Sequence, residues 1–320
     1  MIMVTVAFLL GLIICLLLGV PYIDFLKKRL FNQSIKDVAP QTHAKKEGTP
    51  TTGGVFIIAA IIVASVIVLM IAQKFNAIGC VILITLLFYA LAGFQDDYLK
   101  IKGKTNDGLS VRAKLIRQIL IALLPTCYVM LSVNSSVNFG TFSLDFGYFY
   151  PLFAVFIITG ASNAYNLTDG LDGLAASTGI PVFIVFSLIL LASGCPEGAI
   201  ISSATAGALV GFLKYNKFKA QVFMGDTGSL AIGGLMGTLA VIGKEEFLIA
   251  ILAGIFILET LSVILQITSF RLTGKKLFKM TPFHHHYELI GWSETRIVLF
   301  FTAISVLFSL LAFYCFSLNF

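Results

Sequence analysis

Long apolar runs separated by short polar connections recur along the whole chain. Ten of them predict membrane-spanning helices, at about 4–22, 53–72, 76–93, 115–132, 149–165, 174–192, 199–213, 228–243, 247–269 and 297–317. A spanning helix needs about 20 predominantly apolar residues. The runs are continuous rather than alternating, which excludes a membrane barrel and leaves helices as the way to satisfy the backbone in lipid. The expectation is an all-α polytopic membrane protein, a single domain over 1–320. The seventh and eighth runs are short and rich in glycine and define their spans least well. The first run, Val4 to Val20, has no basic residue before it and reads as a retained span rather than a signal peptide.

Charge orients this pattern. Only 12% of residues are charged and 58% are hydrophobic, against about 25% charged in soluble domains. Twenty of the 22 Lys and Arg fall in or at odd-numbered connections, and only Lys74 and Lys244 fall in even ones. Cytoplasmic connections carry the cationic excess. Both termini are therefore expected outside, with the functional face toward the cytoplasm. The net charge of +6 is accounted for by this orientation, and no nucleic-acid partner is expected. The five cysteines are widely spaced, form no CxxC pair and read as packing residues.

Five polar clusters could carry chemistry. The central one runs from Asn163 to Gly173 and holds Asn166, Asp169 and Asp172. On a helical turn the two acids, three residues apart, would share a face. Asp96 and Asp97 adjoin the third span with Lys100 just after; paired carboxylates suit Mg²⁺ or a general base, or are two solvated interfacial acids. Phe223 to Ser229 opens the eighth span, where free N–H groups favour phosphate and Asp226 could cap the helix or bind a metal. His284, His285 and His286 are adjacent. Neighbours on a helix point about 100° apart, so hydrogen bonding to phosphate or sugar is favoured over shared metal ligation. Lys45 to Gly54, with Lys46, Thr51 and several glycines, suits a phosphate or is a linker. Glu259 stands inside the ninth span, with Gln266 seven residues on; an intramembrane carboxylate is a functional candidate or a buried interhelical partner. All five clusters lie in or at odd-numbered connections. One shared site is the simpler reading: carboxylates for a metal and lysines for phosphates, the parts that phosphoryl transfer requires.

These motifs resemble the phospho-N-acetylmuramoyl-pentapeptide transferases. The resemblance covers nearly the whole chain: Lys46-x-Gly-Thr-Pro-Thr-x-Gly-Gly54, Asp96-Asp-Tyr-Leu-Lys100, Gly108-Leu-Ser-x-Arg-x-Lys114, Asn166-Leu-Thr-Asp-Gly-Leu-Asp-Gly173, Phe223-Met-Gly-Asp-Thr-Gly-Ser229 and Pro282-Phe-His-His-His-Tyr-Glu288. The second, fourth and fifth motifs are shared with the wider superfamily that moves sugar-1-phosphates onto polyprenyl phosphate, and the triple histidine selects the muramoyl branch. The family pattern has Met where this chain has Thr52.

The resemblance implies ten spans in the bacterial plasma membrane, a cytosolic site, Mg²⁺ and a homodimer. It implies UDP-N-acetylmuramoyl-pentapeptide and undecaprenyl phosphate as substrates, with the first lipid intermediate of peptidoglycan and UMP as products. On this reading Asp226 binds Mg²⁺, Asp96 is the base or orienting group and Asp97 supports metal or substrate. A covalent route through one of these aspartates stays open. Lys46, Lys100 and Lys114 contact phosphates, and Thr51 lies with them. Asn163, Asn166, Asp169 and Asp172 line the nucleotide pocket, with Phe223 stacking on uracil and Asn216 and Gln266 as lesser contacts. His284, His285 and His286 meet the nucleotide or sugar. Two rivals are a superfamily member using another UDP-amino-sugar and, from a different class, a secondary transporter, which would bind near the midplane.

Overall fold

The computed structural model describes residues 1–29, 49–103, 108–138 and 142–318. Twelve α-helices account for most of them: α1 (Ile2–Arg29), α2 (Gly54–Ile71), α3 (Ala77–Gly103), α4 (Val111–Ser132), α5 (Tyr150–Thr168), α6 (Leu174–Ala192), α7 (Pro196–Asn216), α8 (Gly225–Gly243), α9 (Leu248–Leu252), α10 (Gly254–Thr273), α11 (Phe283–Leu289) and α12 (Glu294–Ser317). Between α4 and α5 a small antiparallel hairpin, β1 (Ser136–Asn138) and β2 (Ser143–Asp145), adds two strands where none is expected.

Among the described residues, nine helices are long and apolar enough to cross a membrane. The fifth expected span is present as α5 but is not among the nine; it runs on to Thr168, so Asn166 lies inside it rather than in a connection after it. The expected ninth span is divided at Ala253 into α9 and α10. At this break a Cβ on Gly254 would lie 2.5 Å from the Phe308 ring of α12, so the chain turns where that ring presses on its backbone.

The glycine-rich helices form the centre. α8 packs most extensively against α3 and α5, and α7 against α1 and α6. In their most apolar stretches α7 is 83% and α8 89% buried, against 28% for α1. Their modest hydropathy reflects contact with protein instead of lipid, and Gly, Ala, Ser and Thr let backbones approach closely. Gly54 of α2 and Gly93 of α3 both press on the start of α8; a Cβ there would lie 2.1 Å from Gly228 N and 2.1 Å from Asp226 O.

Several helices outrun their apolar stretches at one end of the bundle. α1 is expected to stop near 22 but continues to Arg29, with Ile23 and Leu26 buried. α3 is expected to stop near 93 but continues to Gly103, so Asp96 and Asp97 are buried on a helix rather than placed at its exit.

Candidate functional site

The site forms where α3, α4, α5 and α8 meet at that end. On α3, Asp96 and Lys100 are one turn apart and share a face, with Lys100 Nζ 2.6 Å from Asp96 Oδ2. Asp97, next along, points toward α8. Its carboxylate accepts the backbone N–H of Asp226 at 3.0 Å and of Thr227 at 2.9 Å, together with the Thr227 hydroxyl at 2.6 Å. These N–H groups in the first turn of α8 have no intrahelical acceptor. The cap of α8 is thus a residue about 130 positions away in sequence, and Asp226 is left to face the site.

Asp226 collects four elements. Its Oδ2 accepts Lys100 Nζ at 2.8 Å and Lys114 Nζ, from α4, at 2.9 Å. Its Oδ1 accepts Asn166 Nδ2, from α5, at 2.7 Å, and the same amide nitrogen lies 2.7 Å from Ser229 Oγ. The segment before α4 closes over Asp96: Leu109 N–H donates to Asp96 Oδ1 at 2.7 Å, and a Cβ on Gly108 would lie 2.5 Å from that oxygen. Ser110 then caps α4, which carries Lys114.

Other expected site residues sit close by but are bound to protein. Thr51 is buried with its hydroxyl beside Gly225, which the Asp97 carboxylate also adjoins. Its strand of chain is laced to the start of α8 by Phe223 N–H to Pro50 O at 2.9 Å and Gly53 N–H to Phe223 O at 2.8 Å. The Phe223 ring is half-buried. Asn163 exchanges amide hydrogen bonds with Gln118 of α4, at 2.6 and 3.3 Å. Asn216 accepts Gly173 N–H at 3.0 Å and donates to Val222 O at 2.9 Å, which ties the turn after α5 to the loop before α8. Gln266 holds the loop ahead of α11, accepting Leu277 N–H and Phe278 N–H and donating to Phe278 O, each at 2.9 Å. Both amides are engaged on backbone rather than free for a ligand. Lys46 lies outside the described residues.

Asp169 and Asp172 do not share a helical turn. Asp169 ends α5, and Asp172 lies in the following turn and accepts Ala220 N–H at 3.0 Å. Burial of its carboxyl, with Asp226, Asp97 and Asp172 nearby, pushes Asp169 up to about 8.

The histidines separate. His284 is fully buried and pairs through Nδ1 with Glu259 Oε1 of α10 at 3.1 Å. His285 Nδ1 lies 2.7 Å from Glu288 Oε2, and His286 Nδ1 accepts Lys279 N–H at 3.2 Å. The triple histidine is therefore not one ligand set. Among the described residues, no three His, Cys, Asp or Glu side chains converge as a metal cage. That is compatible with Mg²⁺, which uses one or two carboxylates and takes its remaining ligands from water and phosphate. Asp226 fits such a role: hard oxygen donors, with two ammonium groups already drawn to one of them.

Sequence reasoning misses three partners: Gln118, the Leu109 N–H and Ser229. Each acts through a contact more than ten residues away, and none belongs to a pattern of charges. Ser229, within the Phe223–Ser229 cluster, and Leu109, within the Gly108–Lys114 motif, each had a signal; Gln118 had none.

Comparison with known proteins agrees with this geometry. Residues 79–244, which span α3 to the end of α8, match the family described as glycosyl transferase family 4. The chain is 46% identical over 320 residues to the phospho-N-acetylmuramoyl-pentapeptide-transferase of Oceanobacillus iheyensis, covering 98% of this chain and 97% of that one. It is 45% identical over 317 residues to that of Bacillus subtilis and 44% over 309 to that of Halalkalibacterium halodurans, each covering 96% of this chain and 95% of the relative.

Proposed function

The chain belongs to the phospho-N-acetylmuramoyl-pentapeptide-transferase family, within glycosyl transferase family 4, and on that premise we propose how its site works. It is a bacterial membrane enzyme that transfers phospho-N-acetylmuramoyl-pentapeptide in peptidoglycan synthesis. The UDP-linked sugar is the donor and undecaprenyl phosphate the acceptor. The site faces the cytoplasm, both termini face outward, and two copies of the chain assemble. The cationic connections support this orientation: the site end of the bundle carries Lys100, Lys114 and Lys214, while Lys74 and Lys244 lie at the other end.

The reaction exchanges one phosphoanhydride for another. An oxygen of the prenyl phosphate attacks the sugar-linked phosphorus. A new P–O bond forms, the bond to the nucleotide phosphate breaks, and UMP departs with that electron pair. The main barrier is bringing two anions together. At 4 Å, with an effective dielectric near 20, each like-charge pair costs about 4 kcal/mol. Lys100 and Lys114, both partly exposed, release Asp226 and turn to incoming phosphate oxygens. Asp226 would hold Mg²⁺, which supplies further neutralisation across the diphosphate. Asp96, between Lys100 and the Leu109 N–H, orients the acceptor phosphate. Asn166 steers the Asp226 carboxylate, and the turn after α5, with Phe223 and the histidines, receives the nucleotide and sugar.

Direct attack is favoured over an intermediate at Asp97 because that residue commits both oxygens to the start of α8. The observation that carries the reading is the sharing of one Asp226 oxygen by two lysines from different helices. The test is UMP release from the purified protein given both substrates, with and without Mg²⁺. Turnover that continues unchanged after Mg²⁺ is chelated removes the metal from the site. Release with another UDP-amino-sugar, but none with the muramoyl donor, overturns the substrate assignment.

A further inference from the structure

Glu259 lies in a membrane-crossing helix, fully buried, and the transfer described above does not use it. Such a carboxylate is expensive unless it is paired. Its partner is His284, also fully buried, with Nδ1 3.1 Å from Glu259 Oε1. Glu259 Oε2 and His284 Nε2 have no hydrogen-bond partner among the described residues. The far edge of the imidazole rests on the turn after α5: a Cβ on Gly170 would lie 2.2 Å from His284 Nε2. α10 itself is fixed to α5 by the Phe256 ring stacked on Tyr165, with centroids 4.8 Å apart.

Nδ1 is held by Glu259 and Nε2 is covered by the Asp169–Gly173 turn, so the imidazole is a spacer of fixed orientation between α10 and that turn.

We propose that Glu259 is a positioning residue for the transfer: through His284, whose Nε2 edge is buried against Gly170, it sets the Asp169–Gly173 turn that receives the UDP-linked substrate. This rests on the reading that this turn receives that substrate. Glu259 itself touches no reactant. Its effect falls on binding of the sugar nucleotide and not on binding of the prenyl phosphate, whose cradle is on α3 and α4.

The experiment uses the full chain in detergent and measures KM separately for the two substrates. Glu259→Ala raises KM for the UDP-linked substrate by about tenfold, as expected for one lost hydrogen bond to a charged or strongly polar group. KM for the prenyl phosphate stays unchanged. Glu259→Gln keeps a hydrogen bond to Nδ1 and restores the lost binding, whereas Glu259→Leu, which fills the space without that bond, does not. Nitrogen-15 spectra of labelled histidine show the His284 Nδ1 hydrogen bond in the unsubstituted and Gln forms and its loss in the Leu form. Gly170→Ala, which drives a methyl group into the imidazole, reproduces the KM defect, and adding it to His284→Ala, which has already lost the spacer, raises KM no further.

If Glu259→Ala does not fold, the Gly170 and His284 pair decides alone. Equal changes in both KM values, no change in either, or additive effects of Gly170→Ala and His284→Ala overturn the proposal. Absence of UMP release from the unsubstituted protein would instead overturn the functional reading beneath it.

Discussion

α5 and α8 run antiparallel and are joined by polar groups at both ends. At the site end, Asn166 meets Asp226. At the far end, Tyr150 meets Lys244 and Glu246, with Lys244 Nζ 2.9 Å from the Tyr150 hydroxyl and 3.0 Å from Glu246 Oε1. The residue types are the same, carboxylate and lysine, but the arrangements differ. At the far end one lysine serves one carboxylate two residues away, beneath the tyrosine ring, and the Glu246 side chain is 0% exposed. At the site end two lysines from different helices crowd one oxygen of Asp226, and they are 27% and 22% exposed. The far cluster is a closed contact that holds the helices together. In the site cluster Lys100 is shared between Asp226 and Asp96, and both lysines are partly exposed, which leaves them within reach of an incoming anion.

Substitutions at both ends can break this contrast. The largest effect is expected at Asp226. Asp226→Ala should lower turnover at least about a thousandfold, about 4 kcal/mol of barrier, while the detergent-solubilised protein stays folded. Glu246→Gln should do the reverse, lowering the melting temperature with turnover per folded molecule unchanged. If both variants lose turnover equally, the two ends are not functionally distinct.

Lys114→Met should cost about tenfold to a hundredfold in turnover, as for a lost charge-assisted contact of about 1.5–3 kcal/mol. Lys244→Met should appear mainly as reduced thermal stability, since it removes the cation beside Glu246 and leaves only the Tyr150 hydroxyl on that carboxylate oxygen.

A smaller effect is expected for Asp97→Asn, which keeps the shape but weakens the acceptor for the start of α8. Leaving an N–H there poorly paired costs about 1–3 kcal/mol. Stability and turnover should fall together, because the cap positions Asp226.

The smallest effect is in pH dependence. Asp169 at the site end is pushed up to about 8, and burial pushes Glu245 at the far end up to about 7. A raised carboxyl favours the folded state fully below its ordinary range, and that contribution is lost as pH rises through the raised value. Stability of the ligand-free protein should therefore fall as pH rises from the ordinary carboxylate range, about 4, to about 7–8, and level off above. Glu245→Gln should leave a shallower decline, and Asp169→Asn one that ends nearer pH 7. A flat profile in the unsubstituted protein would discount both shifts.

Much of the helical fold is legible in the chain, because lipid-facing helices such as α1 and α12 must be apolar around most of their surface. α7 and α8 are the weakest signals and yet the most buried elements. Their glycines and hydroxyls suit close packing against protein, which hydropathy does not register. The ends of α1 and α3 are not legible from apolar runs either. Lys27 and Lys28 look like a connection but continue a helix anchored by Ile23 and Leu26, and Asp96 and Asp97 look like an exit but are buried by partners from α4 and α8.

Within the site, Asp96, Lys100, Lys114, Asn166 and Asp226 are legible as clusters of charge and amide at the ends of spans, and they meet. Asp97 was readable as an acid but not as the cap of a helix far along the chain. Asn163, Asn216 and Gln266 look like ligand amides in one dimension, while their partners, Gln118, Gly173 and the 277–278 backbone, exist only in three. The pairing of Glu259 with His284 has the same origin: two separately conspicuous residues whose distance no spacing rule predicts.

The close approach of Gly93 to the start of α8 has one more consequence. No side chain separates α3 from α8 there, so the gap between the helices bearing Asp96 and Asp226 is set by the thickness of two polypeptide backbones. Exchanging one side chain for another can widen that gap but cannot narrow it. A lineage adapting to a bulkier or smaller sugar would have to reshape the loops around this gauge while the gauge itself stayed put.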